Sequence, residues 1–404
     1  MIYWAPLLHF YQPPTQSHAV LAKICEESYR PLIKVFKEHP ESRVTVNMCG
    51  VLTEMLADHG YSDIIAGLGE LGESGQVEFV ESSKFHAILP LIPKEEVKRQ
   101  IELNRVTNLS FFKNSYKPRG FFLPEMCYSD EAASIVRGMG YEWVIVSGIA
   151  CQGEWPMDYI PSFKLGSRLM KAFFRDDIIS NMISFKNINA AGFASRIKEL
   201  SGGKEDTYIV TAMDAETFGH HIHDWEKIFL AGLYEIIKNS DEIRAVGISS
   251  LLERFPAAKT RPPRPSSWST TNEEILAGNY YPLWNTPHNN VHRLQWEHMD
   301  MCMEIFQDAE AKKDNEKSEQ FFNTARETLD MALHSCQFWW ANKGRMWSEN
   351  LINKGLILQE ETIFNSYLAV LSSDCRVSEK KRCYNKVIAA RHIAGKLRDE
   401  ILSK

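Results

Sequence analysis

The chain lacks the features of a disulfide-stapled, zinc-bound or membrane-spanning protein. Its 404 residues include eight cysteines, and no two of them form a C-x-x-C pair. Scattered cysteines in a chain of this size indicate reduced thiols rather than a disulfide framework or a zinc site. No uncharged apolar run reaches the length that crosses a bilayer. The sequence also contains no internal repeat and no low-complexity tract.

An excess of basic charge is missing as well. Lys and Arg number 46 against 52 Asp and Glu, which gives a net charge of −6 and a pI near 6.1. This balance argues against nucleic acid or an anionic membrane as a partner. Residues 1–6 have neither a basic segment nor a small-residue cleavage site, so they predict a first strand instead of a signal peptide. A cytoplasmic location is therefore expected, and the oligomeric state is left open.

What the chain does contain is typical of a large globular protein. Apolar residues make up 44% and charged residues 24%, and there are 10 Trp, 14 Tyr and 21 Phe. Carbohydrate sites use aromatic rings as stacking platforms, but large cores use them too, and we expect most of these rings to pack in the core. The length suits one large domain with an appendage, or two or three ordinary domains.

Up to about residue 250, strand-like and helix-like segments alternate. This alternation predicts an α/β fold with parallel strands and crossover helices. The clearest helical pattern is Lys94–Phe112, with Pro93 near its first turn. Seven or so strands in this length favour a barrel over an open sheet. The predicted strands are Ile2–His9, Val44–Cys49, Val77–Glu81, Gly120–Glu125, Trp143–Ser147, Leu169–Phe174, Tyr208–Asp214 and Ala245–Ser249.

The pattern changes after a proline-rich segment, Phe255–Ser267, which is predicted to lack regular structure and to link two parts. From about Asn289 onward the chain is charged, free of proline and helical in period. The sequence therefore predicts a catalytic barrel over residues 1–265 and a helical bundle over 266–404. Its predicted helices include Ile352–Leu371, Glu379–Ile401 and an apolar stripe of Phe322, Ala325, Leu329, Ala332, Cys336 and Trp340.

Two of the predicted strands end in a carboxylate, Glu125 and Asp214. Acidic residues at the C-terminal ends of parallel barrel strands lie on the functional face. Two carboxylates from different strands are what glycosidic bond cleavage needs, one as nucleophile or base and one as acid. At the mouth of an apolar strand Asp214 would be partly desolvated, which raises the pKa and suits a general acid. The alternatives are a solvent-facing strand end for Glu125 and a helix N-cap for Asp214.

Further polar residues follow these strand ends. His9 and Gln12 close the first strand, and both side chains can hydrogen-bond sugar hydroxyls, although a core histidine is an alternative for His9. Glu78 lies inside the third strand, where a charge is costly unless it is paired or faces the barrel mouth. His86 follows that strand in a loop. Glu216, two residues after Asp214, is predicted to assist the catalytic group or to be that group.

A histidine cluster beside Asp214, formed by His220, His221 and His223, suggests a metal site at first sight. The spacing is not H-E-x-x-H, however, and adjacent histidines on a helix point apart. We therefore expect a structural or substrate-facing role for His220 and no metal or cofactor. Arg175 either orients a carboxylate or a sugar, or forms an ordinary surface ion pair.

The order of these segments resembles glycoside hydrolase family 57. The similar segments are His9–Pro13, Gly75–Pro90, Gly120–Tyr128, Met213–Gly219, Pro282–Trp284, Asn289–Trp296 and Cys336–Trp340, which together cover almost the whole chain. The resemblance implies an incomplete (β/α)7 barrel followed by a helical domain that completes the active-site cleft. It also implies metal-free, retaining chemistry of the α-amylase or 4-α-glucanotransferase type on α-linked glucans or related α-glycosides, with an oligo- or polysaccharide as the partner.

The resemblance also implies residue roles. Glu125 would be the nucleophile and Asp214 the general acid/base. Tyr11 departs from the family pattern, since it stands where the family usually has a second histidine, and the usual substrate contact is in question there. Three residues, His9, Glu78 and Glu216, would line the donor subsite, and Trp339 or Trp340 would close it from the helical side. The full predicted substrate-binding set is His9, Gln12, Glu78, His86, Glu216, His220, Trp339 and Trp340.

Two alternatives remain open at this point. One is a metal-dependent barrel hydrolase, such as a sugar deacetylase or an α-mannosidase-type enzyme, which needs an Asp/His ligand set. The absence of an Asp from the first segment argues against it. The other is a carbohydrate-binding homologue that has lost catalysis, and the presence of both carboxylates argues against that. The sequence does not decide the sugar, the linkage, or hydrolysis against transfer.

Overall fold

The structure is a computed structural model that describes residues 1–152, 157–342 and 346–403. Contacts between residues divide the chain into two compact units. The first unit contains residues 1–12 and 16–280, and the second contains residues 13–15 and 281–404. Among the described residues, none of the helices is both long enough and apolar enough to span a bilayer.

The first unit is built on a ten-stranded, mostly parallel sheet, counted over the described residues. The crossovers between its parallel strands contain helices, which matches the predicted α/β class. The strands are β1 (Ile2–Phe10), β2 (Val44–Met48), β3 (Val77–Val80), β4 (Gly120–Phe122), β5 (Trp143–Ser147), β6 (Ile160–Leu165), β7 (Arg168–Arg175), β8 (Thr207–Asp214), β9 (Ile243–Ala245) and β10 (Ala257–Lys259).

Seven of these strands form a circuit. Parallel pairing runs from β3 through β2, β1, β8, β7 and β5 to β4. Between β4 and β3, the described residues pair through an isolated bridge from Phe121 to Glu81. The predicted incomplete seven-stranded barrel is therefore confirmed. The short strand β9 pairs with the start of β1, and β6 and β10 extend the sheet beside β7.

Alternation along β1 explains how polar groups reach the rim of the barrel. Tyr3 and Leu7 belong to one buried apolar cluster, whereas Trp4 and Leu8 belong to another on the opposite face. Because side chains alternate in a strand, His9 continues the face of Leu7 at the C-terminal end. The helices of this unit are α1 (His18–Ile24), α2 (Arg30–Glu38), α3 (Gly50–Asp58), α4 (Ser62–Glu73), α5 (Lys94–Phe112), α6 (Asp130–Gly138), α7 (Asp177–Ser184), α8 (Ala190–Ser201), α9 (Gly232–Lys238) and α10 (Asn272–Leu276).

Three predicted segments differ in the structure. The strand predicted at Gly120–Glu125 ends at Phe122, because Pro124 opens a helical turn. The strand predicted at Ala245–Ser249 ends at Ala245 and a 3₁₀ helix follows. The segment Phe255–Ser267 is not wholly irregular, since residues 257–259, which lie between Pro256 and Pro262, pair with β6.

The second unit is helical, as predicted. Its helices are α11 (Asn290–Lys312), α12 (Glu316–Ala332), α13 (Cys336–Trp339), α14 (Glu349–Ser372) and α15 (Val377–Leu402). Asn289, Asn315 and Ser348 cap the N-termini of α11, α12 and α14 with side-chain hydrogen bonds. The predicted apolar stripe is buried from Phe322 to Ala332, but it is not one helix, because α12 ends there and α13 begins four residues later.

Candidate active site

Polar side chains from three neighbouring strands meet at the C-terminal rim of the barrel. The parallel register sets His9 of β1 opposite Asn47 of β2 and Asp214 of β8. The His9 ring is buried, and its Nδ1 lies 2.5 Å from Asn47 Oδ1. Burial lowers the pKa of His9, although nearby Asp214 opposes this. We therefore treat His9 as a neutral imidazole whose Nδ1–H donates to the Asn47 amide oxygen.

Asp214 ends the apolar strand β8, and its pKa is raised above the usual value. Burial is the main cause, and the charges of His9 and Arg175 act in the opposite direction. Since β8 is buried from Thr207 to Met213, its terminal carboxyl is held in a poorly solvated position. The chain continues into a short 3₁₀ turn, and the Asp214 side chain does not cap it. The helix-cap alternative for Asp214 is therefore wrong.

Glu125 lies just beyond the end of β4 in an unusual backbone conformation. Its φ is +57° and that of Met126 is +51°, in the left-handed region, which costs a residue other than glycine roughly 1–2 kcal/mol. The largely buried carboxyl accepts a hydrogen bond from Trp268 Nε1 at Oε2, 2.7 Å away, and its Oε1 is 3.8 Å from His86 Nδ1. The alternative of a solvent-facing Glu125 is wrong.

The charge of Asp214 acts on the carboxyl group of Glu125. Burial raises the pKa of Glu125 to about 8, repulsion from Asp214 adds to the shift, and the Trp268 hydrogen bond opposes it. Because the pKa of Glu125 is about 8, the site holds a proton near neutral pH that a solvated glutamate would have lost.

Four aromatic rings pack together beside Glu125. His86 contacts both Tyr11 and His9, with ring centroids 4.2 Å and 4.7 Å away, and Tyr11 and His9 also stack on each other at 5.9 Å. His9 in turn stacks on Phe122 at 4.8 Å. His86 is fully buried and has a φ of +56°. Tyr11 therefore packs against two imidazoles, those of His86 and His9.

Glu216 forms a second buried carboxyl near Asp214. Its Oε1 accepts hydrogen bonds from Gln12 Nε2, at 2.7 Å, and from the Tyr29 hydroxyl. Burial raises the pKa of Glu216 to about 8, and repulsion from Asp214 is the next cause. Of the predicted residues, the structure thus brings together Glu125, Asp214, His9, Gln12, His86 and Glu216.

Four other predicted residues make their described contacts elsewhere. Glu78 pairs in register with Thr45, two residues before the level of His9, and it accepts hydrogen bonds from the Ser249 amide and the Thr45 hydroxyl at 3.1 and 3.2 Å. His220 Nδ1 lies 2.6 Å from Glu27 Oε2. The last two, Trp339 and Trp340, belong to the second unit, where their rings meet edge to face at 4.9 Å. The substrate-binding roles of these four stay predictions.

Two residues of the cluster escaped the sequence prediction or were left open by it. Trp268 follows the proline-rich segment by one residue, and nothing local marks it as a partner of Glu125. Arg175 is buried, so the surface ion pair interpretation is wrong. Its guanidinium binds Ala212 O, Asp177 and Asn181 at 2.7–2.9 Å and lies 5.8 Å from the Trp268 ring.

The histidine cluster that follows Asp214 in the sequence suggests a metal site at first sight. Within the part of the chain that the structure describes, there is no group of three or more His, Cys, Asp or Glu side chains that could hold a metal ion.

Comparisons with known proteins agree with the geometry of the barrel. The model of a family described as Glycosyl hydrolase family 57 matches residues 7–262. An alpha-amylase from Pyrococcus horikoshii is 27% identical over 260 residues, which are 61% of this chain and 40% of that protein. A 4-alpha-glucanotransferase from Thermococcus kodakarensis is 26% identical over 261 residues, which are 61% of this chain and 38% of that protein. The chain thus spans about 40% of the length of these relatives.

Solved structures show the same fold at low identity. A GH57 branching enzyme from Thermococcus kodakaraensis, in complex with glucose, superimposes with a TM-score of 0.73 at 15% identity, over 97% of this chain and 95% of that one. A 4-alpha-glucanotransferase from Thermococcus litoralis gives a TM-score of 0.71 at 19% identity, over 91% of this chain and 59% of that one.

Proposed function

Because the chain belongs to glycosyl hydrolase family 57, we propose that it cleaves or transfers α-linked glucans or related α-glycosides at the cluster of Glu125 and Asp214. The observation that carries this proposal is the pair of carboxyl groups that follow two strand ends at the rim of the barrel, with Glu125 largely buried under Trp268 and Asp214 beside His9. Burial raises the pKa of both groups, and the charge of Asp214 adds to the shift of Glu125. Glycosidic bond cleavage uses one ionised and one protonated carboxyl group.

The proposed reaction is a double displacement with retention. Glu125 attacks the anomeric carbon while Asp214 protonates the leaving glycosidic oxygen, and a glycosyl ester forms on Glu125. Asp214, now ionised, then takes a proton from water or from a sugar hydroxyl, which attacks the ester and releases Glu125. The Trp268 N–H can only donate, so it favours the ionised form of Glu125 and supports this assignment.

The surrounding residues are suited to hold a sugar. The neutral His9, fixed through Asn47, leaves Nε2 as an acceptor. Glu216 is fixed by Gln12 and Tyr29, and its carboxyl oxygens can accept hydrogen bonds from sugar hydroxyls. We propose substrate-binding roles for His9, Gln12, His86 and Glu216. For Glu78, His220, Trp339 and Trp340, only the sequence supports such roles.

Product analysis tests the proposal. Purified protein would be incubated with maltooligosaccharides and aryl α-glycosides, with and without a chelator. Shorter products alone would indicate hydrolysis, and longer products would indicate transfer. Glu125→Gln and Asp214→Asn should each abolish turnover. Glu253→Gln is the control and should retain turnover, because the Glu253 carboxylate is exposed and pairs with Arg119.

A trapping experiment tests the covalent step. An activated fluorosugar of the α-gluco series should leave a glycosyl adduct on Glu125, detected by peptide mass spectrometry. Wild-type protein that is inert on the whole panel and forms no adduct would favour a silent carbohydrate-binding protein. Activity that disappears with the chelator would favour the metal-dependent alternative.

A further inference from the structure

We propose that the segment Ser266–Trp268, here called the strap, holds Glu125 in its reactive orientation, with Trp268 as the positioning residue for the carboxylate. This inference rests on the proposed function, because it assigns Glu125 the part of the nucleophile. The strap lies 141 to 143 positions after Glu125 in the chain, and the hydrogen bond from Trp268 to Glu125 spans 143 positions.

The strap spans the left-handed turn at Glu125 and Met126. Trp268 N donates to Glu125 O at 3.2 Å, and Tyr128 N donates to Ser266 O at 2.9 Å. The second contact forms an antiparallel bridge between Tyr128 and Ser266. Strained backbone persists only where its surroundings over-determine it. The first hydrogen bond is made by the strained Glu125 itself and the second lies two residues after Met126, so together they supply that constraint.

The strap is itself anchored. Ser266 and Ser267 are fully buried. The amide and the hydroxyl of Ser267 both contact Thr270 Oγ1, at 2.9 and 2.7 Å. The Thr270 hydroxyl in turn donates to Tyr280 O at 2.8 Å. A segment with these contacts resists displacement, so it can transmit a fixed position to Glu125.

The indole of Trp268 completes the arrangement. Its N–H points at Glu125 Oε2, and its ring lies edge to face with Phe122 and His9 at 6.0 and 6.2 Å. The Arg175 guanidinium lies over the ring at 5.8 Å. A ring held on three sides keeps its donor aimed at one oxygen, which leaves Oε1 for the reaction.

The charged environment of Glu125 makes this contact testable by pH. The titratable groups that face Glu125 are Asp214, His86 and Cys127, and Arg175 lies on the indole. The indole N–H is the described hydrogen-bond donor to this carboxylate. Loss of a hydrogen bond to a charged group should raise the pKa of Glu125 by about one to two units.

The test is Trp268→Phe, which keeps a ring and removes the N–H. At pH 7 its kcat/KM should fall about 10- to 100-fold, and the rate should recover as the pH rises. The loss should persist with an α-glycosyl fluoride, whose leaving group needs no acid, whereas Asp214→Asn should recover with that substrate. Trp225→Phe is the matched control, because it also removes a buried indole hydrogen bond, to Ile183 O at 3.1 Å.

The outcomes separate the two proposals. Wild-type protein with no turnover and no adduct on Glu125 would sink the proposed function and the strap with it. An adduct on Glu125 in wild type, together with a Trp268→Phe variant that keeps the wild-type rate and pH profile, would overturn the strap alone. An equal loss at every pH would also overturn it, since that indicates a merely structural role. If Trp268→Phe does not fold, Thr270→Val loosens the anchor and should slow adduct formation.

Discussion

Glu81 offers a sharp test of how burial and hydrogen bonding compete in this barrel. It follows β3 and is fully buried. Its carboxyl accepts hydrogen bonds from Asn104 Nδ2 at 2.5 Å and from the hydroxyls of Tyr116 and Tyr141 at 2.9 Å each. These donors favour the ionised form, but burial outweighs them and raises the pKa of Glu81 to about 7.

The magnitude follows from the shift. An unfolded glutamate titrates near 4.5, so between pH 4.5 and pH 7 the folded protein holds a proton that the unfolded chain has lost. Stability from this group is therefore fully present below pH 4.5 and falls as the pH rises through 7. A shift of about 2.5 units corresponds to about 3 kcal/mol.

The assay compares wild type with Glu81→Gln, a neutral side chain of the same shape. Urea unfolding at pH 5, 6, 7 and 8 gives the free energy of unfolding of each protein, and the difference removes the pH dependence of other groups. The wild type should lose about 2.5 kcal/mol relative to the variant between pH 5 and pH 8, since part of the full loss occurs below pH 5. Parallel curves, or a wild type that gains on the variant as the pH rises, would refute the reasoning and mean that the hydrogen bonds to the carboxyl, including one from the Ser82 amide at 3.2 Å, balance or outweigh burial.

Three further predictions follow from other groups. The acidic limb of kcat/KM should lie nearer pH 8 than pH 4.5, because burial and Asp214 raise the pKa of Glu125, and a pH–rate profile on a maltooligosaccharide checks this. Arg175→Met should raise the pKa of Asp214 by removing a positive charge, so the basic limb of that profile should move to higher pH. In the second unit, burial lowers the pKa of His334 to about 3, so stability that is complete above pH 6.5 is lost as the pH falls toward 3. His334→Leu should remove about 3 kcal/mol of that acid sensitivity between pH 7 and pH 4, measured by urea unfolding.

The strands of the barrel were predictable because their signal is local. Short apolar runs with turn residues on both sides marked β1, β2, β3, β5 and β8 to within a few residues. The hairpin strand β6 was missed, since Ile160–Leu165 contains a proline and a lysine and owes its conformation to antiparallel pairing with β7. A strand of that kind depends on its neighbour in the sheet more than on its own pattern.

The candidate site was predictable in part for the same reason. A carboxylate at the end of an apolar strand indicates a rim position in any parallel barrel, and this placed Glu125 and Asp214. Glu78 shows the limit of that reasoning. The pattern located it within its strand, but the register, which depends on pairing with Thr45, decided that its hydrogen bonds go to Ser249 and Thr45.

The sequence by itself determined the alternating α/β pattern, the family and the two strand-end acids, because each is written in consecutive residues. Only the tertiary structure decided that Trp268 binds Glu125, that Arg175 is buried beside it, and that the turn at Glu125 is left-handed. These facts depend on contacts between residues tens to more than a hundred positions apart. No local pattern specifies such a contact, since it arises from how the strands close and where the chain returns to them.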